Sequence, residues 1–190
     1  MKLYYKKLIG EKCYLSPMNV DDYEKYAEWI NDMEVAAGML FASQIVTKER
    51  EKELVESFSK DYNFAIVDIK TDELIGNIGF PKIDYINGVA EVGLFIGNKK
   101  YWDRGYGQDA LKLALDFGFN ILNMHNIYLR VYSYNKPAIF CYKKVGFKEA
   151  GRIREAKRIA GKRYDEIIMD ILEDEYESIY IKKIISEKNF

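Results

Sequence analysis

The sequence has little cysteine, histidine or proline, with two, one and three residues of these types among 190. Cys13 and Cys141 are too few for a disulfide scaffold and lack the spacing of metal ligands, so we expect free thiols and no bound metal. A bridge between the two cysteines remains an open alternative. The single histidine, His125, has no serine or cysteine partner in a recognisable catalytic pattern, which indicates a structural role.

Long apolar runs and a large net charge are also missing. No window approaches the roughly 18 apolar residues of a membrane span, and residues 1–10 lack the apolar stretch of a signal peptide. The formal net charge is −1, which gives no electrostatic support to nucleic-acid binding. We therefore expect a soluble, cytoplasmic protein with no membrane or nucleic-acid partner.

What the chain does have is the composition of one globular domain, with 48% hydrophobic and 31% charged residues. We predict a single domain over residues 1–190, with a core at about 12–172 and a tail at 173–190. The tail alternates charged residues with isoleucine and tyrosine. This pattern fits a packed helix, a partner surface or a frayed end.

The spacing of apolar residues predicts a helical N-terminal part, an antiparallel meander, and a C-terminal part in which strands and helices alternate. Helices are predicted at about 21–31, 34–40, 47–58, 108–122 and 136–145. Strands are predicted at about 12–15, 64–69, 74–85, 90–97, 127–134, 147–155 and 163–172. The predicted fold class is α/β, of the mixed α+β kind.

A glycine-containing loop, Trp102-Asp103-Arg104-Gly105-Tyr106-Gly107, stands before the long apolar helix. Glycines let the backbone turn tightly and leave no Cβ in the way of a ligand. The first N–H groups of a helix lack partners and bind phosphate together with the helix dipole. The loop lacks the third glycine of a dinucleotide fingerprint and the Gly-Lys-Ser/Thr of a P-loop. An ordinary glycine turn is the alternative.

A second motif lies on the short helix at 136–145. Asn135 is a good N-terminal cap, Pro137 is tolerated in the first turn, and Gly146 is typical of a helix end. Ala138 belongs to the apolar side of this helix. Tyr142 lies next to that side, four residues further on.

Three segments in this order resemble the GNAT superfamily of N-acetyltransferases. The Gly105-x-Gly107 loop looks like the acyl-CoA pyrophosphate loop, and Asn135-x-x-Ala138-x-x-x-Tyr142-x-x-x-Gly146-Phe147 looks like the second signature. The strand at 90–97 looks like the central cofactor-binding strand. The sequence of residues 101–107 most resembles the branch of Rim-type ribosomal-protein N-terminal and spermidine acetyltransferases. Many members have Gln or Arg where this chain has Trp102, whereas tryptophan fits that branch.

The resemblance covers about residues 12–172 and implies a GNAT-like fold. That fold is a central, twisted and mostly antiparallel sheet with one splayed parallel strand pair and helices on both faces. The implied reaction is direct attack of a primary amine on the thioester of acetyl-CoA in a ternary complex, without a metal. The implied partners are acetyl-CoA and an amine acceptor, and a homodimer is left open.

The resemblance also implies the site residues. Those that bind the cofactor would be Leu94, Phe95, Ile96, Gly97, Trp102, Arg104, Gly105, Tyr106, Gly107, Gln108, Asn135 and Tyr142. Tyr142 would act as general acid, since a phenol is mostly protonated at pH 7. Glu91 would act as general base, directly or through water, because strand alternation puts it opposite the apolar stripe and near Gly93. For Tyr142 the alternative is a tyrosine that only packs in the core. For Glu91 it is a solvated strand carboxylate, and for Asn135 it is a plain helix cap.

The acceptor is the least determined part of the function. Residues 21–34 contain six carboxylates and a single lysine, which indicates an acidic rim that favours a polyamine or a basic peptide N-terminus. A solvated helix face is the alternative. A non-catalytic acyl-CoA-binding regulatory module and a plain α/β interaction domain are the competing functions.

Overall fold

The computed structural model describes residues 3–40 and 42–188, and its framework is one eight-stranded sheet. The strands are Leu8–Ile9 (β1), Cys13–Pro17 (β2), Asn63–Asp68 (β3), Leu74–Asp84 (β4), Val89–Ile96 (β5), Asn126–Tyr132 (β6), Lys148–Ile159 (β7) and Lys162–Leu172 (β8). Their spatial order is β1-β2-β3-β4-β5-β6-β8-β7. Neighbouring strands are antiparallel except β5 and β6, which run parallel.

The described residues also form six α-helices. They are Tyr23–Asn31 (α1), Met33–Ala36 (α2), Lys48–Phe58 (α3), Tyr106–Asn120 (α4), Lys136–Val145 (α5) and Ile181–Lys188 (α6). None of the helices in the described ranges combines the length and apolarity needed to cross a bilayer.

The two faces of the sheet carry two separate cores, because successive strand side chains point to opposite faces. On β3, Phe64 and Ile66 pack in the cluster that contains α4 and α5. Ala65 and Val67 pack in the other cluster, with residues of α1, α2 and α3. The predicted architecture, a mostly antiparallel sheet with one parallel strand pair and helices on both faces, is confirmed.

The predicted elements agree with the structure to within a few residues, with three differences. The two-residue strand β1 was not predicted, because it is too short to show a periodic pattern. The helix predicted at 34–40 ends at Ala36. The strand predicted at 147–155 continues to Ile159, past an irregularity in its pairing with β8.

The C-terminal tail packs against α4 through one buried carboxylate, that of Asp116. It accepts hydrogen bonds from the Ser178 hydroxyl at 2.6 Å and from the backbone N–H groups of Tyr180 and Ile181 at 2.7 and 3.0 Å. The Ile181 side chain is buried in the α4 core. These contacts therefore hold the start of α6 against α4.

Glu51 on α3 is a second buried carboxylate, and it lacks the hydrogen bonds that Asp116 accepts. Its side chain belongs to a residue only 3% exposed, and its Oε2 accepts no hydrogen bond from the described residues. Burial raises the pKa of Glu51 from its ordinary value of 4.5 to about 7. Ionised Glu51 is therefore an unfavourable charge in the folded protein.

We expect the free energy of unfolding to decrease as pH rises from 4.5 to about 7, the ordinary and folded pKa values of Glu51. In this window the folded state binds a proton that the unfolded state has released, so stability falls with pH. The contribution lost is about 2–3 kcal/mol. Urea unfolding at pH 5 and pH 7.5 measures it, and Glu51→Gln should remove that part of the pH dependence. An unchanged pH dependence in Glu51→Gln would contradict the assignment.

Candidate active site

The parallel strands β5 and β6 separate after a short paired segment. The pairing joins residues 89–91 of β5 to residues 126–128 of β6. Beyond it β5 continues to Ile96 and β6 to Tyr132, with no further pairing between these described residues. A strand wedge, which we define as the gap between these two unpaired halves, therefore opens from the level of Glu91.

The β5 side of the wedge is anchored at its far end by two tryptophans. The indole Nε1 of Trp102 donates to the carbonyl oxygen of Ile96 at 2.7 Å. Trp29 of α1 covers Gly97 so closely that an added Cβ there would lie 2.1 Å from its Cδ2. Leu94 and Phe95 lie half-buried along the middle of the wedge, paired with β4 on one side and without a β6 partner on the other.

The glycine loop ends at the start of α4, as predicted. Gly105 is the residue before the helix and has a φ of +82°, a left-handed conformation that favours glycine. No side chain caps this helix, so the first N–H groups, which include those of Tyr106, Gly107 and Gln108, face the loop without a side-chain acceptor. Arg104 is exposed, and its Nη1 donates to the carbonyl oxygen of Lys100 at 3.2 Å.

The hairpin between β1 and β2 brings an unpredicted lysine to this loop. Asp109, buried in the first turn of α4, accepts from the backbone N–H groups of Glu11, Lys12 and Cys13 at 3.1, 2.8 and 2.9 Å. The Lys12 Cε lies 3.3 Å from the position of a Cβ on Gly105. The sequence carried no signal for this cation, because its position depends on a contact across 97 residues.

The loop, β5 and α5 converge at Gly107. An added Cβ there would lie 3.6 Å from the Sγ of Cys141 and 3.7 Å from the Cδ1 of Leu94, which are ordinary contact distances. Cys141 and Cys13 are both free thiols. Burial raises the pKa of Cys141 to about 11, so its thiol is neutral at pH 7.

Tyr142 follows Cys141 on α5 and belongs to the core on the α4 side of the sheet. It is buried, and its ring lies 6.2 Å from that of Phe147. Its hydroxyl makes no hydrogen bond to the part of the chain that the structure describes, and the hydroxyl oxygen is not among the buried atoms without a partner, so it keeps some accessible surface. Burial, with a smaller effect of Cys141, raises the pKa of Tyr142 well above that of a free phenol. The phenol is therefore protonated at neutral pH.

Glu91 lies at the narrow end of the wedge and is neither solvated nor free. Its Oε1 accepts from the Arg130 Nε at 2.9 Å, and its Oε2 accepts from the Tyr128 hydroxyl at 3.3 Å. Arg130 also reaches Glu166 at 3.2 Å. Arg130, Tyr128 and Glu166 were not predicted as site residues, although the alternation on β6 placed Tyr128 and Arg130 on one face. Gly93, two residues beyond Glu91, opens onto free space.

Asn135 joins α5 to the segment after α2. Its Oδ1 caps the helix by accepting from the Ala138 N–H at 3.2 Å, and its Nδ2 donates to the carbonyl oxygen of Gly38 at 3.2 Å. The neighbouring Tyr134 hydroxyl donates to the Ala37 carbonyl oxygen at 2.6 Å. The cap that the sequence indicated is present, and these contacts also hold the segment after α2 against the end of β6.

Three of the six carboxylates in the acidic stretch at 21–34 form ion pairs within the described residues. Lys99 contacts both Asp32 and Glu34, at 2.7 and 2.5 Å, and Lys48 contacts Glu24 at 2.9 Å. Two cations from outside the stretch thus reduce the negative charge that the sequence indicated.

The chain matches the family model described as "Acetyltransferase (GNAT) domain" over residues 12–148. The chain belongs to the GNAT acetyltransferase family. As a GNAT protein it is an acyltransferase, and the resemblance seen in the sequence motifs is confirmed.

Relatives of this GNAT protein include enzymes with and without a named acceptor. An uncharacterized N-acetyltransferase, p20, of Bacillus licheniformis is 29% identical over 174 residues, which cover 89% of this chain and 97% of that protein. The spermidine N(1)-acetyltransferase of Vibrio cholerae is 34% identical over 111 residues, or 58% of this chain and 64% of that protein.

Solved structures give the same fold. A crystal structure of spermidine N-acetyltransferase from Vibrio cholerae in complex with CoA and spermine superposes with a TM-score of 0.78 and 26% identity. The superposition covers 86% of this chain and 97% of that one. A GNAT acetyltransferase from Bacillus anthracis superposes with a TM-score of 0.78 over 88% of this chain and 99% of that one, at 24% identity, which supports the fold alone.

Proposed function

We propose that this GNAT protein transfers the acetyl group of acetyl-CoA to a primary amine, by direct attack in a ternary complex without a covalent enzyme intermediate. The observation that carries the proposal is the strand wedge. It opens between β5 and β6 beside an uncapped helix N-terminus, with Tyr142 on the α4 side and Glu91 at its narrow end.

The residues present fit a ligand that joins a diphosphate to a thioester, and acetyl-CoA would supply the activated acetyl group. The N–H groups at the start of α4 would hold the diphosphate, with Arg104 and Lys12 as the nearby cations. Leu94 and Phe95 offer strand backbone at a place where β6 has moved away. Asn135 could contribute to this grip only in addition to the cap and the Gly38 contact that it already makes.

Tyr142 is suited to protonate a departing thiolate. Its raised pKa keeps the proton on the phenol at neutral pH, and its hydroxyl donates to no acceptor in the described residues. The hydroxyl oxygen is not among the buried atoms without a partner, so a ligand can reach it. A general-acid role would use that free donor.

Glu91 would accept the amine proton directly or through water. Both of its oxygens already accept hydrogen bonds, one of them from the Arg130 guanidinium. The longer bond, from Tyr128 at 3.3 Å, is the one that an incoming amine or water would replace. Arg130 would then hold the carboxylate in place while the proton moves.

The acceptor class that we propose is a small amine, with polyamines first among the candidates because the Vibrio cholerae relatives are named for spermidine. The pairing of Glu24, Asp32 and Glu34 with lysines leaves less negative charge around α1 and α2 than the sequence indicated. A peptide N-terminus is the alternative acceptor.

We expect release of free thiol from acetyl-CoA in the presence of spermidine, followed with a thiol-reactive dye across a panel of mono- and polyamines and one short basic peptide. Mass spectrometry of the product should show one acetyl group on nitrogen. A calorimetric Kd for CoA, measured in parallel, distinguishes an acetyltransferase from a protein that binds acyl-CoA without catalysis. Tight binding with no turnover on any amine would contradict catalysis and support an acyl-CoA-binding regulatory module.

A further inference from the structure

Three tyrosines form a compact group on the face of the sheet opposite α4. We define the tyrosine cluster as Tyr132, Tyr134 and Tyr164. The rings of Tyr132 and Tyr134 are stacked with centroids 5.7 Å apart, and Tyr164 meets Tyr134 edge-on at 4.9 Å. The Tyr134 hydroxyl bond to Ala37 fixes the middle ring. Clustered aromatic faces attract cations, because the face of each ring carries negative potential.

A lysine of the same chain already lies on one ring of this cluster. The Lys157 Nζ lies 5.0 Å from the centroid of the Tyr132 ring, within the range of a cation–π contact. Glu166 stands opposite Tyr132 in the pairing of β6 with β8, and it shares Arg130 with Glu91. One cation between two carboxylates leaves this group a net negative charge, which further favours an ammonium nearby.

The backbone of β7 is distorted where it delivers this lysine. The pairing with β8 shifts between Ile153 and Lys157, so that Lys157 lies opposite Tyr164. Within the shifted segment Glu155 has a φ of +54°, a conformation that costs energy in a non-glycine residue. Asp165 supports it by accepting from the Glu155 N–H at 3.0 Å. Such bulges often re-aim a side chain next to an active site.

The tyrosine cluster lies on the same face as the catalytic end of the wedge. Side chains at every second position share a face, so Tyr128, Arg130 and Tyr132 follow one another along β6. Tyr128 contacts Glu91, and Tyr132 lies four residues further, which is about 13 Å along a strand. An acceptor that placed one amine in the wedge and carried a second ammonium on a flexible chain could reach the rings.

We propose that the tyrosine cluster with Glu166 is a subsite for the second ammonium group of a di- or polyamine acceptor, and that Lys157 occupies it in the free enzyme as an internal competitor. The inference rests on the proposed acetyl transfer to amines and adds to it a basis for preferring diamines. Binding of the acceptor then includes displacement of Lys157 into solvent, which weakens the apparent affinity for every ligand of this subsite.

The test compares the binding of spermidine and of butylamine by calorimetry in wild type, Lys157→Met and Tyr132→Leu. Lys157→Met keeps the length of the side chain and removes the competitor. We expect it to tighten the Kd for spermidine by roughly threefold to tenfold and to change that for butylamine much less. Tyr132→Leu should weaken the binding of spermidine by a similar factor. Tyr132→Phe, which keeps the ring, should bind spermidine as wild type does.

Lys162→Met is the matched control, because it removes one positive charge from an exposed position on the same hairpin. If Lys162→Met tightened the binding of spermidine equally, the overall charge of the protein would explain the effect, and the proposal would be overturned. No gain, or weaker binding of spermidine, in Lys157→Met would overturn it too. Acetylation of both amines is measured on the same variants. If neither amine is acetylated while the binding pattern holds, the proposed function fails and the subsite stands.

Discussion

Tyr142→Phe should lower kcat for acetyl transfer by about 10²- to 10⁴-fold, the range typical for loss of a general acid or base. The substitution removes one hydroxyl and leaves the ring that packs beside Phe147. Because this hydroxyl has no hydrogen-bond partner among the described residues, its loss breaks no contact within the protein. Steady-state thiol release with saturating acetyl-CoA and amine measures the effect.

The same variant supplies its own structural control. We expect its Kd for CoA and its melting temperature to stay close to those of wild type, since neither depends on the phenolic proton. Turnover at the wild-type rate would remove Tyr142 from the acid role and leave it as a core tyrosine. A joint loss of CoA binding and thermal stability would instead indicate a packing role.

Gly107→Asp should weaken CoA binding by about 10²- to 10³-fold. Two unit charges 4 Å apart near a protein surface repel by about 4 kcal/mol. The new carboxylate would stand in the first turn of α4, where the proposed diphosphate meets the N–H groups. Its Cβ finds ordinary contact distances to Cys141 and Leu94, so the fold should persist. Calorimetric titration with CoA measures the loss, and circular dichroism checks the fold.

Gly107→Ala is the matched control for the charge. It adds the same Cβ at 3.6 Å from Cys141 Sγ without adding a carboxylate, and we expect CoA to bind within a few-fold of wild type. If alanine and aspartate weaken binding equally, the effect is steric. If aspartate leaves binding unchanged, the diphosphate does not lie at this helix start and the proposed cofactor position is wrong.

Local rules predicted the elements that carry their own signals. Helix α5 starts and ends where Asn135 and Gly146 indicated, and Thr47 caps α3 through the Arg50 N–H. These signals work because a helix cap acts over three or four residues. The turn at Gly88, with a φ of +64°, follows the same logic.

The environment of Glu91 shows where such rules stop. Alternation along β5 placed its carboxylate on the correct face, but its partner Arg130 lies 39 residues away on another strand. Only the spatial order of β5, β6 and β8 brings Glu91, Arg130 and Glu166 together. A solvated carboxylate, one of the alternatives, is wrong, because Glu91 is only 8% exposed.

The sequence by itself determined the order of elements, the glycine loop, the second motif and, through them, the family and its sheet with one parallel strand pair. These features depend on residues close together in the chain or on motifs with fixed spacing. The tertiary structure alone decided that Lys12 stands beside Gly105, that Lys99 pairs with Asp32 and Glu34, and that Lys157 lies on Tyr132. Charges act through space, so their partners become known only when distant segments are packed together.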